Sequence, residues 1–311
     1  DFHSYGLFSR RMISIVARHV NIIEEYSIDE CFADVSEFSL SECNEIMDRI
    51  AKEVQDELDI TVSLGLAPNK VLAKVASKWQ KPRGKTVITV DRINDFLLEL
   101  SVGKIWGIGS STVILLNKLG VNTAYDFANL SKAIVSENLS VNHLEIWHEL
   151  RGDFVMEVKQ FSDLPKSISR TSTFRPFTKD PNRLLTEISR HVEDACLAAR
   201  EIGLFACRCS FFVKSQNFQI RRREIILDIA TNSASDIMKV IRRYFFELLS
   251  GTDGVFCRAS GVTLFELRKA GSVQPDLFGQ SVSREDLHSV FGSVDRINNR
   301  FGSGTVILAS S

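Results

Sequence analysis

The sequence predicts an α+β fold divided among several domains, and three observations point to it. Residues 1–100 mix helical and strand-like apolar spacing, residues 101–165 carry helical spacing alone, and residues 166–270 follow the order β-α-β-β-α-β of a ferredoxin-like domain. The chain has 311 residues, enough for two or three hydrophobic cores. A polar segment over 271–311 follows, with one helix expected near residues 284–300.

The first part predicts alternating helices and strands. Ser39 and Glu42 have the spacing of a capping box, and a stripe of apolar residues follows them at helical intervals as far as Leu58. Pro68 stands near the start of another helix, a position that proline favours. Besides the capped helix, we expect helices over 7–20 and 68–79, a hairpin over 24–36, and strands over 60–67 and 85–90.

The next two parts have their own order. Short helices separated by glycines are expected over 101–165, with a linker near 159–167. In the third part we expect helices over 181–202 and 233–250 and strands over 167–176, 205–215, 223–231 and 256–267. The two middle strands are expected to join near Arg221–Arg223, and helical spacing places Met238, Phe245, Phe246 and Leu249 in the core.

The composition is that of an ordinary folded protein, with 44% hydrophobic and 25% charged residues. No apolar run approaches the length of a membrane span, so we expect no membrane association. Six cysteines are scattered without metal-ligand spacing, which predicts reduced thiols in a cytoplasmic protein. His143 and His148 lack the HExxH pattern of a zinc hydrolase.

The charge is distributed unevenly along the chain. Residues 166–270 contain 18 Lys+Arg against 11 Asp+Glu, whereas the rest of the chain contains 20 against 28. A basic module beside an acidic one is a pattern typical of DNA-binding proteins. On charge alone, chance clustering on a solvated surface is an equal alternative.

The pair Asp29-Glu30 interrupts the apolar stretch "EEYSIDECFADVS". Burying two carboxylates is costly unless cations pair with them, and Mg²⁺ prefers oxygen ligands that it shares with substrate phosphates. Adjacent side chains on a flat strand point to opposite faces, so both reach one site only at a hairpin tip or bulge. For the pair alone, the alternative is one acid in water and one capping a turn.

Lysines follow in "PNKVLAKVASKWQKP". Lys70 and Lys74 are one helical turn apart and share a face, and Lys81 lies in the loop beyond. Cations beside a metal site suit a triphosphate. The alternative is a solvated lysine face.

The stretch "IWGIGSSTVILLNKLGVNTAYDFANL", residues 105–130, has a helix-hairpin-helix pattern. Gly107 and Gly109 precede one helix, and a second short helix follows "LGV". Glycines let backbone N–H groups approach a nucleic-acid phosphate at the positive end of a helix. The alternative is a plain helical turn, which needs no ligand.

Together, "YSIDECFADVS", "LAPNKVLAKVASKWQKP" and "IWGIG" resemble the Y-family translesion DNA polymerases, in the bacterial UmuC/DinB-like branch. The likeness runs from near residue 7 to the tail. It implies part of a palm over 1–100, a thumb over 101–165, a little finger over 166–270 and a clamp-binding tail over 271–311.

The resemblance also implies a reaction and its residues. A primer 3′-hydroxyl would attack the α-phosphate of a dNTP with two Mg²⁺ ions, which Asp29 and Glu30 would ligate as catalytic residues. Lys81 would contact the triphosphate, while Lys70, Lys74 and Ser27 would support the site. Gly107 and Gly109 would hold the primer backbone of a template-primer duplex.

The basic third part is expected to contact the DNA backbone without reading sequence. The residues expected to do so are Arg170, Arg175 and Lys214 on strands and Arg221, Arg222 and Arg223 at a hairpin. In the tail, "QPDLFG" resembles the peptide that binds the β sliding clamp, through Gln274, Asp276, Leu277 and Phe278. The family resemblance also implies an SOS-response repair role and raises a UmuD-like subunit as a further partner.

The sequence departs from the family pattern in one respect. The family's first metal-binding aspartate, its sugar-discriminating aromatic residue and its fingers have no counterpart in residues 1–311. We therefore expect these residues by themselves to be inactive in nucleotide addition. The alternative function is a non-catalytic protein that binds DNA and the sliding clamp.

Overall fold

In the computed structural model the chain forms two compact units, Asp1–Asp163 and Leu164–Ser311. The structure describes residues 2–160, 164–250, 255–269, 282–302 and 305–306. Within these ranges no helix is both long and apolar enough to cross a membrane.

The first unit combines helices with two small sheets. Its helices are α1 (Phe2–Val16), α2 (Leu40–Leu58), α3 (Lys70–Trp79), α4 (Ile93–Glu99), α5 (Ser110–Lys118), α6 (Ala124–Ala128), α7 (Lys132–Asn138) and α8 (Val141–Leu150). Its strands are β1 (Ile22–Ser27), β2 (Glu30–Asp34), β3 (Leu64–Leu66) and β4 (Lys85–Val87), and short 3₁₀ turns lie at Val90–Arg92 and Val102–Lys104.

Helix α2 begins as the sequence predicts. The Ser39 side chain accepts a hydrogen bond from the Glu42 backbone, and the Glu42 carboxylate accepts one from the Ser39 N–H, which forms the capping box. The predicted apolar stripe on α2 is buried and packs against α1. This small core supports the β1–β2 hairpin from one side.

The two strands predicted over 60–67 and 85–90 are much shorter in the structure. β3 and β4 pair in parallel over three residues each, Leu64–Leu66 with Lys85–Val87. Helix α3 packs directly on β3 at Gly65, where an added Cβ would lie 2.3 Å from both the Ala73 carbonyl oxygen and the Ser77 nitrogen. A glycine is therefore required for this close approach of helix and strand.

Helix α3 also shares a hydrophobic core with the helices that follow. Val71, Leu72 and Val75 of α3 belong to the same buried cluster as Leu116 of α5 and Leu150 of α8. The segment assigned to a palm and the segment assigned to a thumb are thus packed together in one unit.

The second unit is a four-stranded antiparallel sheet with two helices. The elements are β5 (Ser167–Thr178), α9 (Pro181–Glu201), β6 (Leu204–Ser215), β7 (Ile220–Thr231), α10 (Ala234–Ser250) and β8 (Cys257–Lys269). Their predicted order β-α-β-β-α-β is confirmed. Both crossovers pass over one strand, because the sheet order is β5-β8-β6-β7.

The strand order corrects the ferredoxin-like expectation in one detail. The first strand of a ferredoxin-like sheet is interior, whereas β5 lies at an edge and pairs with β8 alone. β5 contains Pro176, which has no N–H to donate to a ladder, and its register shifts between Thr173 and Thr178. An edge position accommodates both features.

Two further expectations for this unit are wrong. Arg221–Arg223 lie within β7, opposite Val213, Phe212 and Phe211, because the hairpin turn occupies 216–219. Phe246 is 64% exposed, whereas Phe245 is fully buried. Neighbouring residues on a helix point about 100° apart, and the core side of α10 takes Phe245.

The predicted tail helix is present as α11 (Val282–Phe301). Within the second unit it is held on α9 by Asp295, whose carboxylate accepts hydrogen bonds of 2.6 and 2.8 Å from Arg200. Phe291 of α11 is buried, and the Arg200 guanidinium lies 5.0 Å from its ring centroid.

Candidate active site

The β1–β2 hairpin carries the carboxylate pair at its tip. Ser27 pairs with Glu30, so Ile28 and Asp29 form the turn. The Ser27 hydroxyl donates a 2.7 Å hydrogen bond to Asp29 Oδ1, which orients this exposed carboxylate. Because Asp29 lies in the turn and Glu30 begins β2, both side chains reach the same cleft, as the hairpin-tip argument requires.

Glu30 is held by a lysine from α3. Its carboxylate forms an ion pair with Lys74, whose side chain is 8% exposed while that of Glu30 is 33% exposed. A buried ammonium needs such a partner, because an unpaired one would be strongly destabilising. Lys74 therefore fixes Glu30 at the edge of the cleft.

Lys70 lies one turn earlier on α3 and serves a different contact. Its Nζ lies 2.7 Å from each carboxylate oxygen of Glu24 and 3.3 Å from the Glu157 carbonyl oxygen. Glu24 also accepts a hydrogen bond from the Lys159 N–H. Lys70 thus supports the site from behind, by tying α3 and the segment after α8 to β1.

The cleft beside the hairpin has a volume of about 790 Å³. Apolar residues of α1, α2, β2 and β3 form its walls, and its polar rim includes Asp29, Glu30, Lys74, Lys81 and Arg83. Lys81 is exposed in the loop after α3, as expected from the sequence. Two carboxylates and three cationic side chains therefore line one cleft, and Lys74 is paired with Glu30. Such a mixture of charges suits a metal-bound triphosphate.

Cys31 also lines this cleft, directly after Glu30. Burial, with a smaller contribution from the charge of Glu25, raises the pKa of its thiol to about 11. The thiol is therefore protonated at neutral pH, and the donors offered to a cation are carboxylate oxygens, which match a hard ion such as Mg²⁺.

An aromatic cluster joins the hairpin to the loop before α5. The Trp106 Nε1–H donates a 2.9 Å hydrogen bond to the Tyr26 hydroxyl, and the two rings meet edge to face at 5.2 Å. The centroid of the Phe32 ring lies 5.7 Å from that of Tyr26 and 5.5 Å from that of Trp106. The sequence patterns predicted no role for this cluster, although Tyr26 and Phe32 lie in the segment 24–36 and Trp106 in the segment 105–130.

The predicted glycine turn precedes α5. Gly107 has φ +88°, and an added Cβ there would lie 2.6 Å from Ile146 Cδ1. Gly109 is the N-cap of α5 and, having no side chain, contributes no capping oxygen to the first-turn N–H groups. The expected second helix is α6, which Thr123 and Asp126 cap. The backbone N–H groups at the α5 N terminus are therefore positioned to bind an anion.

The sheet of the second unit has a helix-covered face and an open face. Partners across antiparallel strands share a face, so Phe212, paired with Gly261 and Arg222, lies on the open face, and so does Lys214. Arg222 donates hydrogen bonds of 3.0 and 2.8 Å to Ser210 there. An added Cβ at Gly261 would meet the Phe212 ring at 2.4 Å, so the glycine lets this ring lie across the sheet.

Three of the other four predicted DNA-contacting arginines lie on the helix-covered side of the sheet. Arg170 pairs with buried Val262 and Arg221 with buried Val213, so both belong to the helix-covered side. Arg223 lies on that side too, 4.6 Å from the Tyr244 ring and 3.5 Å from Glu247. Arg175 is exposed on β5.

The chain is similar to known proteins over most of its length. Residues 1–78 match the impB/mucB/samB family and residues 165–277 its C-terminal domain. A DNA polymerase IV of Methanoculleus marisnigri is 32% identical over 79% of this chain and 69% of its own length. A DNA polymerase IV of Desulfatibacillum aliphaticivorans is 30% identical over 97% of this chain and 76% of its own length. The chain belongs to the Y-family of DNA polymerases.

A solved Y-family DNA polymerase, the chimera Dbh-Dpo4(243-245)-Dbh, has the same architecture. It superposes with a TM-score of 0.72 at 26% identity and covers 86% of this chain and 78% of its own. The relatives named DNA polymerase IV fit the DinB-like side of the branch suggested by the sequence. The predicted family is therefore confirmed.

In this Y-family chain, the structure brings together Asp29, Glu30, Lys74 and Lys81, with Ser27 behind Asp29. It places Lys70 away from the cleft, on Glu24. Among the described residues, no three His, Cys, Asp or Glu side chains are grouped as a metal site. The clamp-like residues Gln274, Asp276, Leu277 and Phe278 lie outside the described residues.

Proposed function

We propose that this protein is a DNA-directed DNA polymerase of the translesion type, using Mg²⁺ at Asp29 and Glu30. The observation that carries the proposal is the convergence of these two carboxylates with Lys74 and Lys81 on one cleft. The carboxylate oxygens fit Mg²⁺, and a pair of bound ions would neutralise charge on the attacking and leaving oxygens.

The residues of the chain have distinct roles in this proposal. Ser27 and Lys74 hold Asp29 and Glu30 in position, so little reorganisation is needed when a cation arrives. Lys81 neutralises charge on the dNTP triphosphate. The open N terminus of α5 after Gly109 binds a phosphate of the primer strand, which aligns the 3′-hydroxyl. Nucleotide addition that depends on Mg²⁺ and on Asp29 tests the proposal.

The second unit is proposed to bind the duplex backbone through its open sheet face. Lys214 and Arg222 supply charge there, and the Phe212 ring lies over Gly261 on the same face. Phosphate contacts carry no sequence information, which suits a polymerase that must accept any template.

We expect DNA affinity to depend steeply on salt. If the open face makes three phosphate contacts, affinity should fall roughly 40-fold between about 50 and 200 mM salt. Replacing Arg222 by alanine should reduce the logarithmic salt slope by about one, measured by fluorescence anisotropy with a template-primer duplex.

The matched control is Arg223→Ala, the next residue of β7. Arg223 contacts Tyr244 and Glu247 on the helix-covered side, so its loss should leave the salt slope unchanged. Equal effects of the two substitutions would show that the open face is not the DNA-binding face.

The resemblance supports finer assignments, which we propose together. The palm, thumb and little finger correspond to residues 1–100, 101–165 and 166–270, and the protein works in SOS-response repair in the cytoplasm. A UmuD-like subunit is an additional candidate partner.

We also propose that residues 274–278 bind the β sliding clamp. The Leu277-Phe278 pair follows a polar stretch, and each side chain gains about 1.5–3 kcal/mol when fully buried in a partner's groove. Pro275 reduces the number of unbound conformations, which lowers the cost of docking.

A peptide of residues 271–281 should therefore bind a bacterial β clamp in isothermal titration calorimetry. Replacing Leu277 and Phe278 by alanine should abolish binding, whereas Ser272→Ala should not. If the double substitution in the full chain instead lowers the stability of the second unit, the pair belongs to its core and clamp binding is excluded.

A further inference from the structure

Tyr26 and Trp106 connect two parts of the site that are far apart in sequence. The hydrogen bond from Trp106 to the Tyr26 hydroxyl is 2.9 Å and spans 80 residues. Tyr26 is 44% exposed, so burial alone does not fix its ring. Edge-to-face contacts with Trp106 and Phe32 hold the ring, and the indole N–H fixes the position of its hydroxyl end.

On the hairpin side, Tyr26 contacts Lys74, which in turn pairs with the Glu30 carboxylate. The Lys74 ammonium lies 5.3 Å from the Tyr26 ring centroid, within the range of a cation–π contact, and it also pairs with Glu30. A change in the ring orientation would therefore move the cation that holds Glu30.

On the other side, Trp106 directly precedes the glycine turn. Gly107 follows it in the chain, and Gly109 begins α5. Trp106 is bonded directly to this turn, so a shift of the turn when a phosphate docks has a short covalent route to the indole. The contacts thus form a continuous series from the α5 N terminus through Trp106, Tyr26 and Lys74 to Glu30.

We propose that Tyr26 and Trp106 are positioning residues that couple DNA binding at the α5 N terminus to divalent-cation binding at Asp29 and Glu30. This proposal rests on the proposed function. It assigns to the pair the task of forming the cation site fully when primer DNA is present. Such coupling is reciprocal, and between protein sites it is typically at least about fivefold in affinity.

The test measures cation affinity rather than activity. Free Mn²⁺ is followed by electron paramagnetic resonance in titrations of the full chain, with and without a saturating template-primer duplex. The primer ends in a dideoxynucleotide, so it brings no 3′-hydroxyl to the cation, and a duplex-only titration is subtracted. Wild type should bind Mn²⁺ at least about fivefold more tightly with the duplex.

Tyr26→Phe keeps the ring and removes the hydroxyl that accepts the Trp106 hydrogen bond. It should abolish the tightening, while its thermal midpoint and its DNA affinity without Mn²⁺ stay at wild-type values. The matched control, Tyr125→Phe in α6, should keep the tightening.

Two outcomes overturn the coupling alone: wild type binds Mn²⁺ equally well with and without the duplex, or Tyr26→Phe retains the tightening. A third outcome separates the coupling from the proposed function. If wild type binds no more Mn²⁺ than Asp29→Asn does, the cation site itself is refuted, and the coupling with it.

Discussion

Replacing Asp29 by alanine should lower the rate of nucleotide addition at least about a thousandfold. The reason is that the substitution removes a ligand of a cation that would stabilise the charged transition state by several kcal/mol. Asp29 lies at the hairpin tip with its carboxylate oriented by Ser27, so its removal takes away a ready ligand and little packing. The measurement is single-nucleotide addition by rapid quench, in a polypeptide that includes any residues encoded upstream of Asp1.

Glu25→Ala provides the matched control, since Glu25 is an exposed carboxylate on β1 of the same hairpin. It should leave the rate within about twofold of wild type, as expected for an exposed side chain that does not line the cleft. Near-normal Mg²⁺-dependent extension by Asp29→Ala would remove this residue from the catalytic role.

Glu30 needs a gentler substitution. Glu30→Ala leaves the buried ammonium of Lys74 without its partner, which threatens folding as well as catalysis. Glu30→Gln keeps the shape and a carbonyl oxygen for Lys74 but removes the negative charge. It should fold, bind DNA with wild-type affinity and lose nucleotide addition as severely as Asp29→Ala.

The second large effect concerns stability. Phe245→Ala should lower the free energy of unfolding of the second unit by about 3–5 kcal/mol, because a fully buried aromatic ring leaves a cavity in the core. Since all three tryptophans lie in the first unit, hydrogen exchange of α10 and the sheet is the suitable measurement.

Phe246→Ala is the control from the adjacent residue. Its ring is 64% exposed, so the substitution should change the free energy of unfolding by less than about 0.5 kcal/mol. A loss comparable to that of Phe245→Ala would contradict the orientation of α10.

Phe245 and Phe246 also show how accurately helical periodicity predicts which residues of α10 are buried. The core side of α10 takes Ile237, Met238, Ile241 and Phe245. Spacing from Met238 predicts Phe245 correctly, but Phe246 falls on the flank of the same stripe, and hydrophobicity alone misassigns it. Periodicity finds the stripe, whereas its edges depend on the partner surface, which the local pattern does not contain.

The two short strands of the first unit, β3 and β4, were predicted less well than the four strands of the second unit. The apolar run over 60–67 forms a strand only at Leu64–Leu66, where β4 offers a partner. A helix satisfies its own backbone hydrogen bonds, whereas the length of a strand is set by a distant segment.

The carboxylate pair was predictable because its residues are adjacent and lie in a local hairpin. The contacts around it were not. Lys70 pairs with Glu24, 46 residues away in sequence, and Trp106 binds Tyr26, 80 residues away. Neither contact could be predicted from local spacing or composition. The aromatic residues in the hairpin and in the loop before α5 were the feature of the sequence that could have suggested their contact.

The contact at Gly65 limits which substitutions this polymerase tolerates in β3. Backbone of α3 rests against backbone of β3 there, so any larger side chain must displace the whole helix rather than one rotamer. Lys74 lies on that helix and Lys81 in the loop after it, and both would shift together relative to the hairpin. In a library randomised at residues 64–66, we expect the variants that survive selection for nucleotide addition to keep glycine at position 65 while tolerating several apolar residues at positions 64 and 66.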